Sequence, residues 1–291
     1  MKFPSAFSLV GSPNEVIAFC NEIRKNAATN HLRFDLSEVS ELTMDGVAVF
    51  ISTLKEDEIR HTTKIQGNVP ADSSVRAVLE SSGFYRLVQT QTPLGSKAKG
   101  KIVSVPQNSG RKYNQEVAAG LIDHARSYAA FAPIQLKRCF HALEELMENT
   151  VQHASKEGRG REPWWTSLFF DEARGVACFT FNDNGVGVFK SLRFNQIMTL
   201  YTGSPFTDAG DRLRKVLSGE VRSSTKLPWR GEGLPAVRLD CDRGILNRLI
   251  VITNDAYADV SSQDYRALSA NFKGTFFYWE ISSQPEPAAS I

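Results

Sequence analysis

Glu145 to Ala154 read ELMENTVQHA, a helical stretch that places Asn149 where helix propensity favours almost any other residue. Pro133 opens this helix. Leu136, Phe140, Leu143, Met147 and Val151 recur at threes and fours and predict a buried stripe. Glu145, Asn149 and His153 follow one another at four-residue steps and share a different face. A carboxylate and a carboxamide one turn apart suit phosphate chemistry. The amide oxygen is a neutral hard ligand for Mg²⁺, which takes few protein ligands and fills its shell with water and phosphate oxygens. The carboxylate can take a proton from an attacking water or hydroxyl. Taken alone, the same face reads more readily as solvated helix surface.

Three later pieces bear on that choice. In FTFNDNGVGV, Phe179 to Val188, a predicted strand ends in Asp183, and Gly185 and Gly187 follow. Glycines let the chain turn sharply and let a ligand approach the backbone. An aspartate at a strand end can accept a hydrogen bond from an exocyclic amine such as that of adenine. In WRGEGLPAVR, Trp229 to Arg238, Gly231, Gly233 and Leu234 precede a predicted helix, whose free N–H groups and dipole suit an anion. Gly274 and Thr275 open a final predicted strand, where a hydroxyl could reach the same base. Each piece is weak alone, since Asn-Gly turns and glycine-rich helix starts are common.

In this order and with these contexts, the four pieces resemble the GHKL ATPase superfamily, which includes gyrase and the histidine kinases. Glu145, Asn149 and His153 match its N box, and Asp183, Gly185 and Gly187 its Asp-x-Gly-x-Gly box. Gly231, Gly233 and Leu234 match its Gly-x-Gly-Leu box, and Gly274 and Thr275 its late Gly-Thr. The resemblance covers about residues 111–281. It implies a Bergerat-type α/β sandwich binding ATP and Mg²⁺. Asp183 would read the adenine amine, Asn149 would hold the metal, and Glu145 would be the general base. Residues of about 188–230 would form a lid over the nucleotide. Lys226 and Arg230 lie beside the phosphate glycines, and their ordinary role is as solvated lid residues.

The first ninety residues alternate short apolar strands with amphipathic helices, which predicts a small α/β unit. Phe7–Gly11, Leu32–Val39 and Thr63–Val69 carry the strands. Asn14–Ala27 reads as a helix with Val16, Phe19, Cys20 and Ile23 on one face, Thr43–Ile59 as a second, and Asp72–Phe84 as a capped third closed near Gly83. DLSEVSELTMDGVAVF, Asp35 to Phe50, resembles the STAS domain of anti-anti-sigma factors. That family often phosphorylates a serine just before the glycine, where this chain has Thr43, Met44 and Asp45. Thr43 is therefore expected as the cap of the following helix, and Asp45 as a standing negative charge in place of a phosphate.

The expected organisation is α/β throughout: a STAS-like domain over 1–92, a linker over 93–110, an ATP-binding domain over 111–282 and a disordered tail over 283–291. Within the linker, Lys101–Val105 reads as strand-like without a place. Trp164–Phe170 and Gly175–Phe181 predict a hairpin. His124 and His141 fall on the ATP-binding domain's own predicted helices rather than on a separate phosphoacceptor pair.

A net charge of +2 shows no bias toward nucleic acid, and the apolar runs are strand-sized, too short for a membrane span. The N-terminus has a proline and charges too early for a signal peptide. The four cysteines show no Cys-x-x-Cys spacing, which argues against a zinc site and fits a reducing cytoplasm. The expected function is a Mg²⁺-dependent ATP-binding, ATP-hydrolysing switch that acts on the STAS-like domain, a protein partner or a second copy. The alternatives are an anti-sigma-type protein kinase acting on a STAS-like partner, and a non-catalytic ATP-binding module.

Overall fold

Strands buried on both faces read as unbroken apolar runs, and LIVI at Leu249–Ile252 and FFYW at Phe276–Trp279 are such runs. The computed structural model describes residues 1–27, 31–60, 64–90, 102–154, 162–191, 208–220 and 233–283. In chain order its elements are β1 (Ala6–Phe7), α1 (Pro13–Asn26), β2 (His31–Phe34), β3 (Glu41–Leu42), α2 (Met44–Leu54), α3 (Asp57–Arg60), β4 (Lys64–Gly67), α4 (Ser73–Ser82) and β5 (Gln89–Thr90). There follow β6 (Ile102–Gly110), α5 (Gln115–Tyr128), α6 (Pro133–His153), β7 (Trp164–Asp171), β8 (Val176–Asp183), α7 (Val188–Ser191), α8 (Ala209–Leu217), α9 (Gly233–Asp242), β9 (Arg248–Asp259) and β10 (Asp264–Ser282). The chain is α/β, as expected.

The N-terminal unit is a parallel arrangement. β2, β4 and β5 form one sheet, β1 pairs with β3, and a Lys2–Asp35 bridge joins the two. The second sheet is antiparallel throughout, in the order β6-β7-β8-β10-β9. Alternation along its strands divides it between two cores. Phe179, Phe181, Val251, Phe277 and Trp279 face Leu121, Leu143, Met147 and Leu213 of the helices. Cys178, Ile250, Ile252, Phe276 and Tyr278 face the other way and merge with the core of the N-terminal unit. α2, whose residues are all buried, packs between the two units against β7 and β8, while α1 packs on β10 and α4 on β6.

Local chemistry explains most element ends. Asp72 caps α4 by accepting from the N–H groups of Ser74 and Val75 at 2.8 and 3.0 Å, and Gly83 closes it at φ +78°. Asn114 caps α5 in the same way. α1 buries Val16, Phe19, Cys20 and Ile23, the expected face.

Several expectations are corrected. Ile102–Gly110, expected within the linker, is the edge strand of the second sheet. The helix expected to run from Thr43 to Ile59 breaks after Leu54 and resumes at Asp57. Thr43 stands at the cap position, yet its hydroxyl donates to the Phe7 carbonyl at 3.3 Å rather than capping the helix. Asp45 is buried, not a presented charge: its Oδ2 accepts from Ser8 Oγ at 3.2 Å and from Val10 N–H at 2.9 Å, pinning the β1–α1 loop. On α6, Phe140 and Val151 are only partly buried, and Cys139, Ala142, Leu146 and Thr150 complete the stripe instead. The β9–β10 hairpin extends well past the expected strands, and α8 packs on that extension through Leu213 and Leu217, with Gly210 against the Arg266 backbone. The remaining expected lid segments, 192–207 and 221–230, and the tail beyond 283 lie outside the described residues. The four cysteines are free and buried, and no described helix is long and apolar enough to cross a membrane.

Phe50 of α2 packs against Phe3, Phe34 and Phe84 at centroid distances of 5.0, 5.2 and 5.7 Å. Phe50→Ala should therefore cost about 3–5 kcal/mol of stability. Urea denaturation of the full chain will measure it; a loss below about 1 kcal/mol would mean that this ring is not part of a close-packed core.

Candidate functional site

β8 ends at Asp183, which lies opposite Thr275 of β10, with Thr253 of β9 beyond it. The chain then folds over its own strand end. Asp183 Oδ1 accepts from the Gly185 N–H at 2.8 Å. The Val186 N–H donates to the carbonyl of Ala154, at the end of α6, at 2.9 Å. Any Cβ at Gly185 would collide with that same carbonyl, so only glycine lets the turn sit on the helix. Gly274 closes the other side at φ +100°, with its Cα against the Asp183 carbonyl.

Two residues that the sequence reading missed hold this turn. Thr253 Oγ1 accepts from the Val188 N–H at 2.9 Å and donates to the Gly274 carbonyl at 3.0 Å. Asn254 donates through Nδ2 to the Val186 carbonyl and accepts through Oδ1 from the Phe189 N–H, at 3.0 and 3.2 Å. It sits at φ 52°, a conformation asparagine tolerates better than most residues, and its amide fills the space beside Gly187. The available signal was a polar pair, Thr253-Asn254, directly after the apolar run Leu249–Ile252 in the middle of β9.

At the other end of this face of α6, the Glu145 carboxylate lies against Gly233, the first residue of α9, where a side chain would displace it. An ion pair between Arg138 and Asp240, 3.3 Å, ties the two helices together. Leu234 is half-buried and packs on the helical core. From Glu145 to Ala154 the helix rises about 13 Å. Asn149, half-buried, stands between those ends, and His153 is exposed in the last turn. Thus Asp183, Gly185, Gly187 and Thr275 converge at one end of the α6 face, and Glu145, Gly233 and Leu234 at the other. Gly231, Lys226 and Arg230 lie outside the described residues.

The electrostatics are those of a dry carboxyl and a wetter one. Burial pushes Asp183 up to about 7, with the Glu162 carboxylate adding to the rise, while the N–H groups of Gly185 and Thr275 pull it back. Partial burial raises Glu145 above the usual range, and the neighbouring Glu148 and Glu144 reinforce it. No cluster of three metal-ligating His, Cys, Asp or Glu side chains occurs among the described residues. The donor set at α6 is instead an amide and a carboxylate one turn apart, a pattern that fits Mg²⁺ only if phosphate oxygens and water complete its shell. A separate cleft of about 360 Å³ opens beside Arg33, Asp35, Gln66 and Asn68 of the N-terminal unit.

The raised Asp183 gives a pH signature. Its native carboxyl holds a proton between about pH 4 and 7 that the unfolded chain has released, so this group's contribution to stability falls as pH rises through that window. Asp183→Asn, which keeps an acceptor for Gly185, should abolish this part of the pH dependence, so the variant's stability relative to wild type should be clearly greater at pH 8 than at pH 5. Urea denaturation at both pH values decides; parallel profiles would show that Asp183 is ionised throughout.

No protein-family model matches this chain, and no curated protein matches it in sequence.

Proposed function

We propose that this chain binds ATP with Mg²⁺ along the exposed face of α6 and hydrolyses it as a regulatory switch. The observation that carries the reading is the convergence of a buried carboxyl turn on one end of the Glu145–Ala154 helix and a glycine helix start on the other. The separation of those ends, about 13 Å, is the scale of an extended nucleotide. The base belongs at the Asp183 end, where a carboxylate can accept from an exocyclic amine. The phosphates belong at the α9 end, at the positive end of the helix dipole.

Asn149 and the phosphate oxygens would hold Mg²⁺, which supplies charge neutralisation to the phosphates. Glu145 accepts a proton from the attacking water, and its raised proton affinity brings it nearer to what a base working at neutral pH requires. Hydrolysis is preferred to phosphorylation of this chain's own N-terminal unit. Thr43, the available hydroxyl at the STAS-like position, is half-buried and committed to the Phe7 carbonyl.

Calorimetric titration of the full chain with ATP, with and without Mg²⁺, tests the reading directly, and no binding in either condition would refute it. Asp183→Asn should lose ATP binding. Glu145→Ala should still bind ATP but lose about 10²–10⁴-fold in turnover. Asn149→Ala should lose most of the affinity gained from Mg²⁺. With γ-labelled ATP, label released as free phosphate supports the switch, whereas label on an added STAS-like protein identifies a kinase.

A further inference from the structure

The last turn of α2 touches the strand end that carries Asp183. At that turn the Lys55 N–H still bonds the Ile51 carbonyl, but the Glu56 N–H turns to Thr53. The Ser52 carbonyl is therefore one of the terminal groups a helix leaves without an intrahelical partner. Asn184 fills the gap, donating through Nδ2 at 3.2 Å. The Ser52 hydroxyl spends its proton on the Val49 carbonyl at 2.8 Å, which leaves it only able to accept, and it accepts from Asn182 Nδ2 at 2.8 Å.

Ser52 thus offers two acceptors to the two asparagines that flank Asp183, and both bonds have a forced polarity. Asn182, Asn184 and Ser52 are wholly buried. The amide oxygens of both asparagines have no hydrogen-bond partner among the described residues, so each side chain is anchored through its nitrogen to Ser52. A second tie lies close by. Glu56 accepts from Lys273, the residue before Gly274, at 2.7 Å and from Arg24 at 2.8 Å.

Resting on the ATP-binding reading, we infer that Ser52 is a positioning residue of the base subsite: through Asn182 and Asn184 it sets the angle at which Asp183 meets the exocyclic amine. The N-terminal unit is then a structural part of the nucleotide site, and its helix α2 carries any change in that unit to base recognition. Asn182 and Asn184 flank Asp183, so the two anchors hold the backbone that carries its carboxyl, and a shift of that backbone on loss of an anchor re-aims the carboxyl.

The test compares ATP with the triphosphate of purine riboside, which lacks the 6-amino group, by calorimetric titration of the full chain. Wild type should prefer ATP. Ser52→Ala should narrow that preference about fivefold, the scale of one hydrogen bond, while affinity for the purine analogue stays within about twofold of wild type. Asn182→Ser is the second variant, should Ser52→Ala fail to fold, and should narrow the ratio in the same way. A wild type that binds neither nucleotide, or both equally, removes the base-reading site and with it this proposal. A wild type that prefers ATP, with variants that keep the ratio or lose both affinities in parallel, removes the positioning role alone and leaves the ATP site standing.

Discussion

A sheet buried on both faces cannot move one of its strand ends without moving what lies behind it. Here the five-stranded sheet meets its own helices on one side and the N-terminal unit on the other, and α2 is buried between. Close-packed interiors resist displacement of even a methylene. The polar atoms in such a seam must also be paired, because an orphaned buried group costs about 1–3 kcal/mol. Ser52 meets that demand for the amide nitrogens of Asn182 and Asn184, directly behind Asp183, while their amide oxygens find no partner among the described residues.

The turn after Asp183 shows the opposite economy. A carboxyl is kept dry, which disfavours its charge, and a glycine is held at φ +100° against the carbonyl of Asp183. The dry carboxyl does not help the fold, whereas glycine takes up that φ without strain. Hydrogen bonds from Gly185 and Thr275 offset only part of the burial, as the direction of the Asp183 shift shows. Features that oppose stability in this way cluster at sites that bind or react. The neighbouring Thr253 and Asn254 satisfy the turn's backbone groups, so the cost is confined to one side chain.

Much of this was legible along the chain. Helical spacing marked the buried faces of α1 and most of α6, Asp72 and Gly83 bracketed α4, and apolar runs with a turn between them marked the β7–β8 hairpin. These signals are local, since periodicity and caps act within a few residues. Other features were not legible. Ile102–Gly110 is a strand because β7 pairs with it, and Asp45 is buried because the β1–α1 loop folds over it. Phe140 and Val151 have the right spacing but lie at the margin of what the sheet covers.

The sequence by itself determined most of the element types, the polar face of Glu145, Asn149 and His153, and the glycines that any sharp turn near Asp183 requires. Only the tertiary structure decided that α2 stands behind that turn and that Ser52 answers Asn182 and Asn184, more than a hundred positions away in the chain. The reason is physical. Backbone preference and amphipathic spacing are set by neighbours in sequence, whereas the partner of a buried amide is set by which surfaces exclude water together.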